Sequence, residues 1–191
     1  MIRPLLAGAA CLALLSACNQ QGASPAVDKA QDMAAAPVGQ VSAVTMGSNL
    51  VSAFVPNAAM SDMYEIQAAD IALARSGNAQ VKALAQMIKT DHTAASNKFK
   101  GLVPTAAPGV SLPTALDQRR QGLIDNLHSA SAADFDGVYL DQQIAAHREG
   151  VTLMSGFKDN TDAPTLAAFA AEVLPKIQAH LDAAEKLKAA M

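Results

Sequence analysis

Three histidines of this sequence fall on apolar stripes of predicted helices, where an imidazole ring would point into a protein core. His92, His147 and His180 each sit among aliphatic residues at helical spacing, on three separate predicted helices. Imidazole is a common metal ligand, and helical bundles build metal sites from side chains on facing helices. The pattern therefore predicts a candidate site for a single transition-metal ion.

Glu65 is the fourth candidate ligand. It precedes the Gly77-Asn78 turn by nearly as many residues as His92 follows it. At about 1.5 Å of rise per residue, Glu65 and His92 would lie at similar heights and could meet. The same count leaves His147 and His180 on the order of 7 Å apart in height on either side of a later turn. The spacing is therefore less favourable for the second pair.

Of the two interpretations, the sequence favours a metal-free one. A buried histidine with one hydrogen-bond partner ties helices together without an ion, because buried polar groups are generally hydrogen-bonded. The sequence offers several such partners: Asp91, Asp141, Gln143 and Glu65. A di-iron carboxylate site is disfavoured, because no glutamate stands three residues before any of the three histidines.

No set of catalytic residues stands out in the sequence. The two cysteines lie near the N-terminus, and there is no glycine-rich phosphate loop and no Gly-x-Ser-x-Gly elbow. The methionines fall at helical spacing, which core packing explains better than a copper site. A net charge of -3 without a basic run argues against nucleic acid as a partner. We therefore assign no catalytic residue and favour a non-enzymatic protein.

Four long amphipathic helices are needed to position the candidate ligands. The first is predicted from Asn57, as its N-cap, to Ser76-Gly77, and the second begins at Asn78 and carries His92. The short connection makes these two helices an antiparallel hairpin. Pro104 and the prolines after it are expected to end the second helix.

A long crossover with a short extra helix is predicted next. Thr114 with Asp117 reads as a capping box that opens this short helix, and His128 is expected near its C-terminus, without a functional role. Ser131 with Asp134 repeats the capping signature before the third long helix, which carries His147.

The last long helix is predicted to open at residues 161–164, with Pro164 in its first turn, and to bend at Pro175. No strand is required anywhere. Residues 57–191 are therefore predicted to form an all-α, ferritin-like four-helix bundle, whose long crossover carries a short extra helix between the second and third long helices.

The N-terminal residues predict export. Met1-Ile2-Arg3 gives a positive start, and the uncharged apolar run after it is too short for a permanent span. Leu15-Ser16-Ala17-Cys18 then resembles the bacterial lipobox, in which the cysteine sulfur receives diacylglycerol. We predict a signal peptide at residues 1–17, and a lipidated Cys18 with a flexible tether at residues 18–56. An ordinary signal peptide cut near Ala17 is the alternative.

Lipid on Cys18 would make the membrane a partner of this protein, because several acyl chains give stable anchoring. The residue after Cys18 is Asn19 and not aspartate. In this the sequence resembles proteobacterial lipoproteins that are sorted to the outer membrane. The folded domain is then expected in the periplasm.

Four short motifs, in order, resemble the family called domain of unknown function 4142. They are Tyr64-Glu65-Ile66, Val81 to Ala85 through Asp91-His92, Tyr139-Leu140 with His147, and Leu174-Pro175 with His180-Leu181. The similarity covers Asn57 to about Lys188. It implies an exported protein, loosely described as an outer-membrane protein, with a ferritin-like bundle. It also implies that the candidate ligands act together, and it implies no reaction.

Three functional hypotheses follow from the sequence. The favoured one is a lipid-anchored protein of the cell envelope with a binding or stress-protection role, in which the single-metal site is a candidate only. The second is a ferritin-related metal-storage protein or oxidoreductase, against which the missing Glu-x-x-His pattern counts. The third is a structural or interaction module, for which an exposed apolar groove between helices is expected.

Overall fold

The structure, a computed structural model, describes residues 49–191. This part of the chain contains five α-helices. They are α1 (Val51–Arg75), α2 (Ala79–Ala106), α3 (Gln118–Ser129), α4 (Phe135–Phe157) and α5 (Pro164–Ala189). No strand occurs among these residues, so the predicted all-α bundle is confirmed. The predicted signal peptide, Cys18 and most of the predicted tether lie outside the described residues.

The four long helices form a closed ring in which each packs against two neighbours. α1 and α5 stand at opposite corners, and each contacts both α2 and α4. Neighbours run antiparallel, because one apolar cluster joins the starts of α1 and α5 to the ends of α2 and α4. The segment from α2 to α4 must therefore return along the bundle, and its helix α3 lies against α1 and α4. The predicted crossover with a short helix is present.

Two apolar clusters fill the interior, one toward each end of the bundle. The first contains four phenylalanines, Phe54, Phe99, Phe157 and Phe169. The second contains aliphatic and aromatic residues from all five helices, including Ile88, Leu127, Tyr139 and Ala184. Burial of this apolar surface is the main force that closes the ring. His92, His147 and His180 lie between the two clusters along their helices, and Glu65 lies at the edge of the second cluster, next to Tyr64.

The first helix starts earlier than predicted. α1 begins at Val51, and Asn57 lies inside it with its side-chain Nδ2 donating to Ala53 O at 3.0 Å. The residue before the helix, Leu50, provides no side-chain cap. Phe54 is fully buried, so apolar packing sets this helix start. The predicted start at Asn57 is wrong, because burial of Phe54, and not a polar N-cap, fixes where this helix begins.

The second helix begins at the predicted cap and ends among the predicted breakers. Asn78 Oδ1 accepts hydrogen bonds from Gln80 N at 2.8 Å and from Val81 N at 3.4 Å, so the predicted cap is confirmed. The expectation that Pro104 and the prolines after it end this helix is confirmed, since α2 passes Pro104 and ends at Ala106, before Pro108. A proline removes one backbone hydrogen bond, but the last turn of α2 remains packed in the first apolar cluster.

Polar side chains mark the starts of the later helices. Asp117, not Thr114, caps α3, because Asp117 Oδ1 accepts from Arg120 N at 2.7 Å. The capping box predicted at Thr114 is therefore wrong in its cap residue. Before α4, Ser131 Oγ accepts from Asp134 N at 3.2 Å, as the second signature predicted.

The last helix begins with Pro164 in its first turn, as predicted, and continues through Pro175. Asn160 Oδ1 accepts from Ala163 N at 2.8 Å and so supports the turn before α5. Within the described part of the chain, no helix combines the length and apolar character that a membrane span needs.

Candidate metal centre

Each of the four long helices places one candidate ligand in the middle of the bundle. Glu65 lies on α1, His92 on α2, His147 on α4 and His180 on α5. Their relative exposures are 1%, 6%, 1% and 2%, so all four side chains are buried. Each of the four buried faces is thus interrupted by one of these polar residues.

The three imidazole rings face one another. Ring centroids are 5.7 Å apart for His92 and His147, 5.6 Å for His92 and His180, and 5.3 Å for His147 and His180. One nitrogen of each ring lies within 4.8 Å of the chosen nitrogens of the other two. The described residues therefore contain a buried three-histidine group that could hold a metal ion.

The mismatch in height expected between His147 and His180 is wrong. His147 Nε2 lies 3.3 Å from His180 Nδ1, so the two side chains meet directly. A residue count treats helices as parallel rods of equal tilt and neglects the reach of side chains. It therefore cannot decide whether two rings on neighbouring helices touch.

Asp62 orients the ring of His92. Asp62 Oδ1 lies 2.8 Å from His92 Nδ1. Because a carboxylate oxygen only accepts, Nδ1 carries the hydrogen and Nε2 presents a lone pair. His92 Nε2 is buried without a hydrogen-bond partner. Sequence reasoning paired His92 with Glu65 and missed Asp62, although Asp62 stands three residues before Glu65 and so on the same face of α1.

The backbone orients the ring of His147. His147 Nδ1 donates to Gln143 O at 2.9 Å, one turn earlier on α4. A carbonyl oxygen only accepts, so the lone pair is on Nε2. Glu65 Oε1 lies 3.6 Å from the same Nδ1. Glu65 thus approaches the nitrogen of His147 that already carries a hydrogen, and it is not part of the three-nitrogen group.

Asp91 orients the ring of His180. His180 Nε2 donates to Asp91 Oδ2 at 3.0 Å, and the other oxygen of Asp91 accepts from Lys176 Nζ at 2.9 Å. The lone pair of His180 is therefore on Nδ1, the nitrogen that faces His147. Asp91 was one of the hydrogen-bond partners considered from the sequence. Asp141, another of them, binds Lys188 instead.

Burial makes two of the rings poor bases. It lowers the pKa of His147 well below its ordinary value, and the neighbouring His92 and His180 lower it further. Burial also lowers the pKa of His180. For Asp91, burial acts to raise the pKa, but hydrogen bonds from Lys176 and His180 outweigh it and lower the pKa. Near neutral pH, His180 therefore stays uncharged, with its hydrogen directed at an ionised carboxylate.

Two other groups in this layer hold protons more tightly. Burial opposes the charge on His92, but the hydrogen bond to Asp62 and the nearby Glu65 carboxyl raise the pKa of His92. Burial raises the pKa of Glu65 to about 7. The polar layer therefore exchanges protons in the physiological range, and a metal ion would compete with a proton at His92.

Three imidazole nitrogens are a donor set that zinc and copper accept. Metal–nitrogen bonds of about 2.0–2.1 Å place the nitrogens of a tetrahedral site roughly 3.3 Å apart. The nitrogens of His147 and His180 are already at that separation, 3.3 Å. Each ring also donates its second N–H to an oxygen, the usual outer support of a metal-bound histidine.

A family comparison covers this site. The model of a domain of unknown function, DUF4142, matches residues 36–187. The chain belongs to the DUF4142 family. The DUF4142 match includes all three histidines and also Glu65, Asp62 and Asp91. It begins at residue 36, before Asn57, where the resemblance of the short motifs begins. No curated protein and no solved structure matches the chain. The DUF4142 family contributes no activity, so function is argued from the site.

Proposed function

We propose that this bundle binds one transition-metal ion through His92 Nε2, His147 Nε2 and His180 Nδ1. The observation that carries the proposal is the convergence of three lone pairs, each on a ring whose other nitrogen donates to an oxygen. A metal-free histidine group would need a hydrogen between facing nitrogens. With all three rings neutral, the hydrogens instead point outward, toward Asp62, Gln143 and Asp91.

The donor set favours zinc or copper. Neutral imidazole suits zinc, copper, iron and nickel, whereas calcium and magnesium require oxygen ligands. The carboxylates of Asp62 and Asp91 behind two of the rings balance the charge of a divalent ion. Removing such an ion from water into a buried layer is costly unless nearby negative groups compensate.

A single-metal role fits better than iron storage. The ring of antiparallel helices with a long crossover supports a ferritin-like bundle. A dinuclear iron site would need a carboxylate from each of several helices. The carboxylates that contact the three histidines are Asp62, Glu65 and Asp91, which come from α1 and α2. Asp62 and Asp91 already accept from the outer nitrogens of His92 and His180. We therefore place metal binding, rather than storage or oxidation by two metal ions, as the function.

We also propose that the metal site is held in the cell envelope. The lipobox-like Leu15-Ser16-Ala17-Cys18 supports a lipid anchor on Cys18, with the domain in the periplasm at the outer membrane. Binding of a reactive metal ion there would serve a stress-protection role. Mass spectrometry of the mature protein should find acylated Cys18 as the first residue. A free thiol at Cys18, or a retained leader, contradicts the anchor.

The metal proposal is tested by titrating the full chain, in detergent, with Zn²⁺ and Co²⁺ in a calorimeter. We expect one ion per chain and loss of binding in His147→Ala. His128→Ala is the matched control, because His128 is exposed on α3 and should leave binding unchanged. Equal binding by the native chain and His147→Ala would overturn the proposal and favour an interaction module.

A further inference from the structure

A cavity opens beside the three histidines, between α2 and α5. Its volume is about 120 Å³, and His92 and His180 line it together with Asp62 and Asp91. His147 does not line the cavity. The cavity therefore reaches the three-nitrogen group from the side of His92 and His180, with His147 behind them.

The cavity walls are mostly apolar. They come from α1, α2, α4 and α5 and consist of Ala58, Ala95, Met154, Phe169, Val173 and Ile177. Two ion pairs also line the cavity, and each joins α2 to α5. They are Lys98 with Glu172 and Lys176 with Asp91. The lysines are largely exposed, and such surface ion pairs separate at little cost. A small molecule can therefore pass between α2 and α5.

No fourth protein ligand completes the three-nitrogen group among the described residues. Asp62 and Asp91 already accept hydrogen bonds from the outer nitrogens of His92 and His180. Glu65 approaches the outer nitrogen of His147. Structural zinc sites have four protein ligands, whereas sites that act on other molecules have three and keep one position free.

We propose, on the basis of the metal site above, that the bound ion keeps its fourth coordination position open toward this cavity. The position takes a small ligand with one oxygen or nitrogen donor and a compact apolar body. The donor binds the ion, and the apolar body packs against Val173, Ile177 and Ala95. Binding sites with apolar walls and a few polar groups at one end select ligands of this shape.

The volume limits the size of the ligand. Because a dry apolar cavity of about 150 Å³ accepts benzene, a cavity of about 120 Å³ accepts a ligand of similar or slightly smaller size. Short aliphatic monocarboxylates fit this limit. Phosphate should bind weakly, because it has no apolar part and the lysines at the cavity are already paired.

The test uses the full chain loaded with Co²⁺, whose visible absorption reports the coordination of the ion. Azide tests whether the ion has an open coordination position. The affinities of butyrate and formate are compared to test the contribution of the apolar walls. We expect saturable spectral changes with azide and butyrate, and tighter binding of butyrate than of formate. Phosphate should give no change at the same concentration.

Ala95→Phe fills the cavity from α2 and leaves all three histidines in place. It should retain one Co²⁺ per chain and raise the Kd of azide and butyrate by about tenfold or more. Thr93→Phe is the matched control, since Thr93 is exposed on the same helix outside the lining. If Ala95→Phe does not fold, Val173→Phe blocks the cavity from α5.

The outcomes separate the two proposals. Failure of the native chain to bind Co²⁺ overturns the metal site itself. If the spectrum of the Co²⁺-loaded chain does not change with azide or butyrate, the metal site is retained and the open coordination position is overturned. Equal probe binding by the cavity-filling variant and Thr93→Phe overturns the assignment of the cavity as the ligand site.

Discussion

His147 Nε2 lies 3.3 Å from His180 Nδ1, and because the other nitrogen of each ring donates to an oxygen, both facing nitrogens present lone pairs when the rings are neutral. Two lone pairs at this distance repel each other unless a positive charge lies between them. Burial lowers the pKa of both rings, so a proton is a poor occupant near neutral pH. The proposed metal ion would remove this repulsion, and the groups behind the rings should control its affinity.

The carboxylates behind the rings are expected to strengthen metal binding. Asp62→Asn and Asp91→Asn each keep a hydrogen-bond acceptor beside a histidine but remove its negative charge. Each should weaken Zn²⁺ binding by about 10–100-fold, the usual effect of changing an outer-shell partner. Competition with a chromophoric chelator measures the change. Asp70→Asn, at an exposed aspartate of α1 that pairs with Lys89, should have no effect, and an equal loss there would contradict the assignment.

Glu65 should make the stability of the metal-free protein depend on pH. Its pKa in the fold is raised to about 7 from 4.5 by burial, so the folded protein binds this proton more tightly than the unfolded chain does. The resulting stabilisation is complete below pH 4.5 and is lost as pH rises through about 7. The loss is on the order of 3 kcal/mol at pH well above 7.

Urea unfolding with a chelator present, at pH 5 and pH 8, measures this effect. Glu65→Gln cannot ionise, so its stability should change less between the two pH values than that of the native chain. Glu185→Gln, at a more exposed glutamate that pairs with Arg148, serves as control. A native-like pH dependence in Glu65→Gln would show that another group causes it.

Local sequence signals predicted most of the fold. The Gly77-Asn78 connection and the Asn78 cap located the first hairpin, since a polar cap and a short turn are local features. The apolar spacing around His92, His147 and His180 placed all three rings inside the bundle, as their burial confirms. Helical periodicity is sufficient for such statements because it depends only on near neighbours in sequence.

Features that depend on contacts between helices could not be obtained in this way. The early start of α1 depends on Phe54 packing against Phe157, and residues far apart in sequence make that contact. The role of Asp62 depends on which carboxylate of α1 faces His92 across the interface. The 3.3 Å approach of His147 and His180 depends on helix tilt and side-chain reach, which no residue count supplies.

Asp117 should stabilise α3, and with it the crossover. Its side chain caps the helix and pairs with Arg120, and although burial acts to raise its pKa, these bonds lower it. Asp117→Ala should cost about 1 kcal/mol at neutral pH, as for other helix N-caps. Because the pKa of Asp117 is lowered in the fold, its contribution to stability is present above pH 3.8, the ordinary pKa of the carboxyl group. The contribution is lost as pH falls through the pKa of Asp117 in the folded protein. Thermal unfolding at pH 7 and pH 3 measures both effects, with Asp125→Ala, exposed on α3, as control.

The early start of α1 gives a stability prediction. Phe54 is fully buried, stacks on Phe157 with ring centroids 3.7 Å apart and meets Phe99 edge-on at 5.9 Å. Phe54→Ala should therefore lower the free energy of unfolding by about 3–5 kcal/mol, the usual cost of such a cavity. Leu50→Ala, at a residue 60% exposed, should change it by less than about 0.5 kcal/mol. Urea unfolding of the full chain compares the two. Equal, small effects would mean that the bundle begins near Asn57, and the turns before it would not belong to the core.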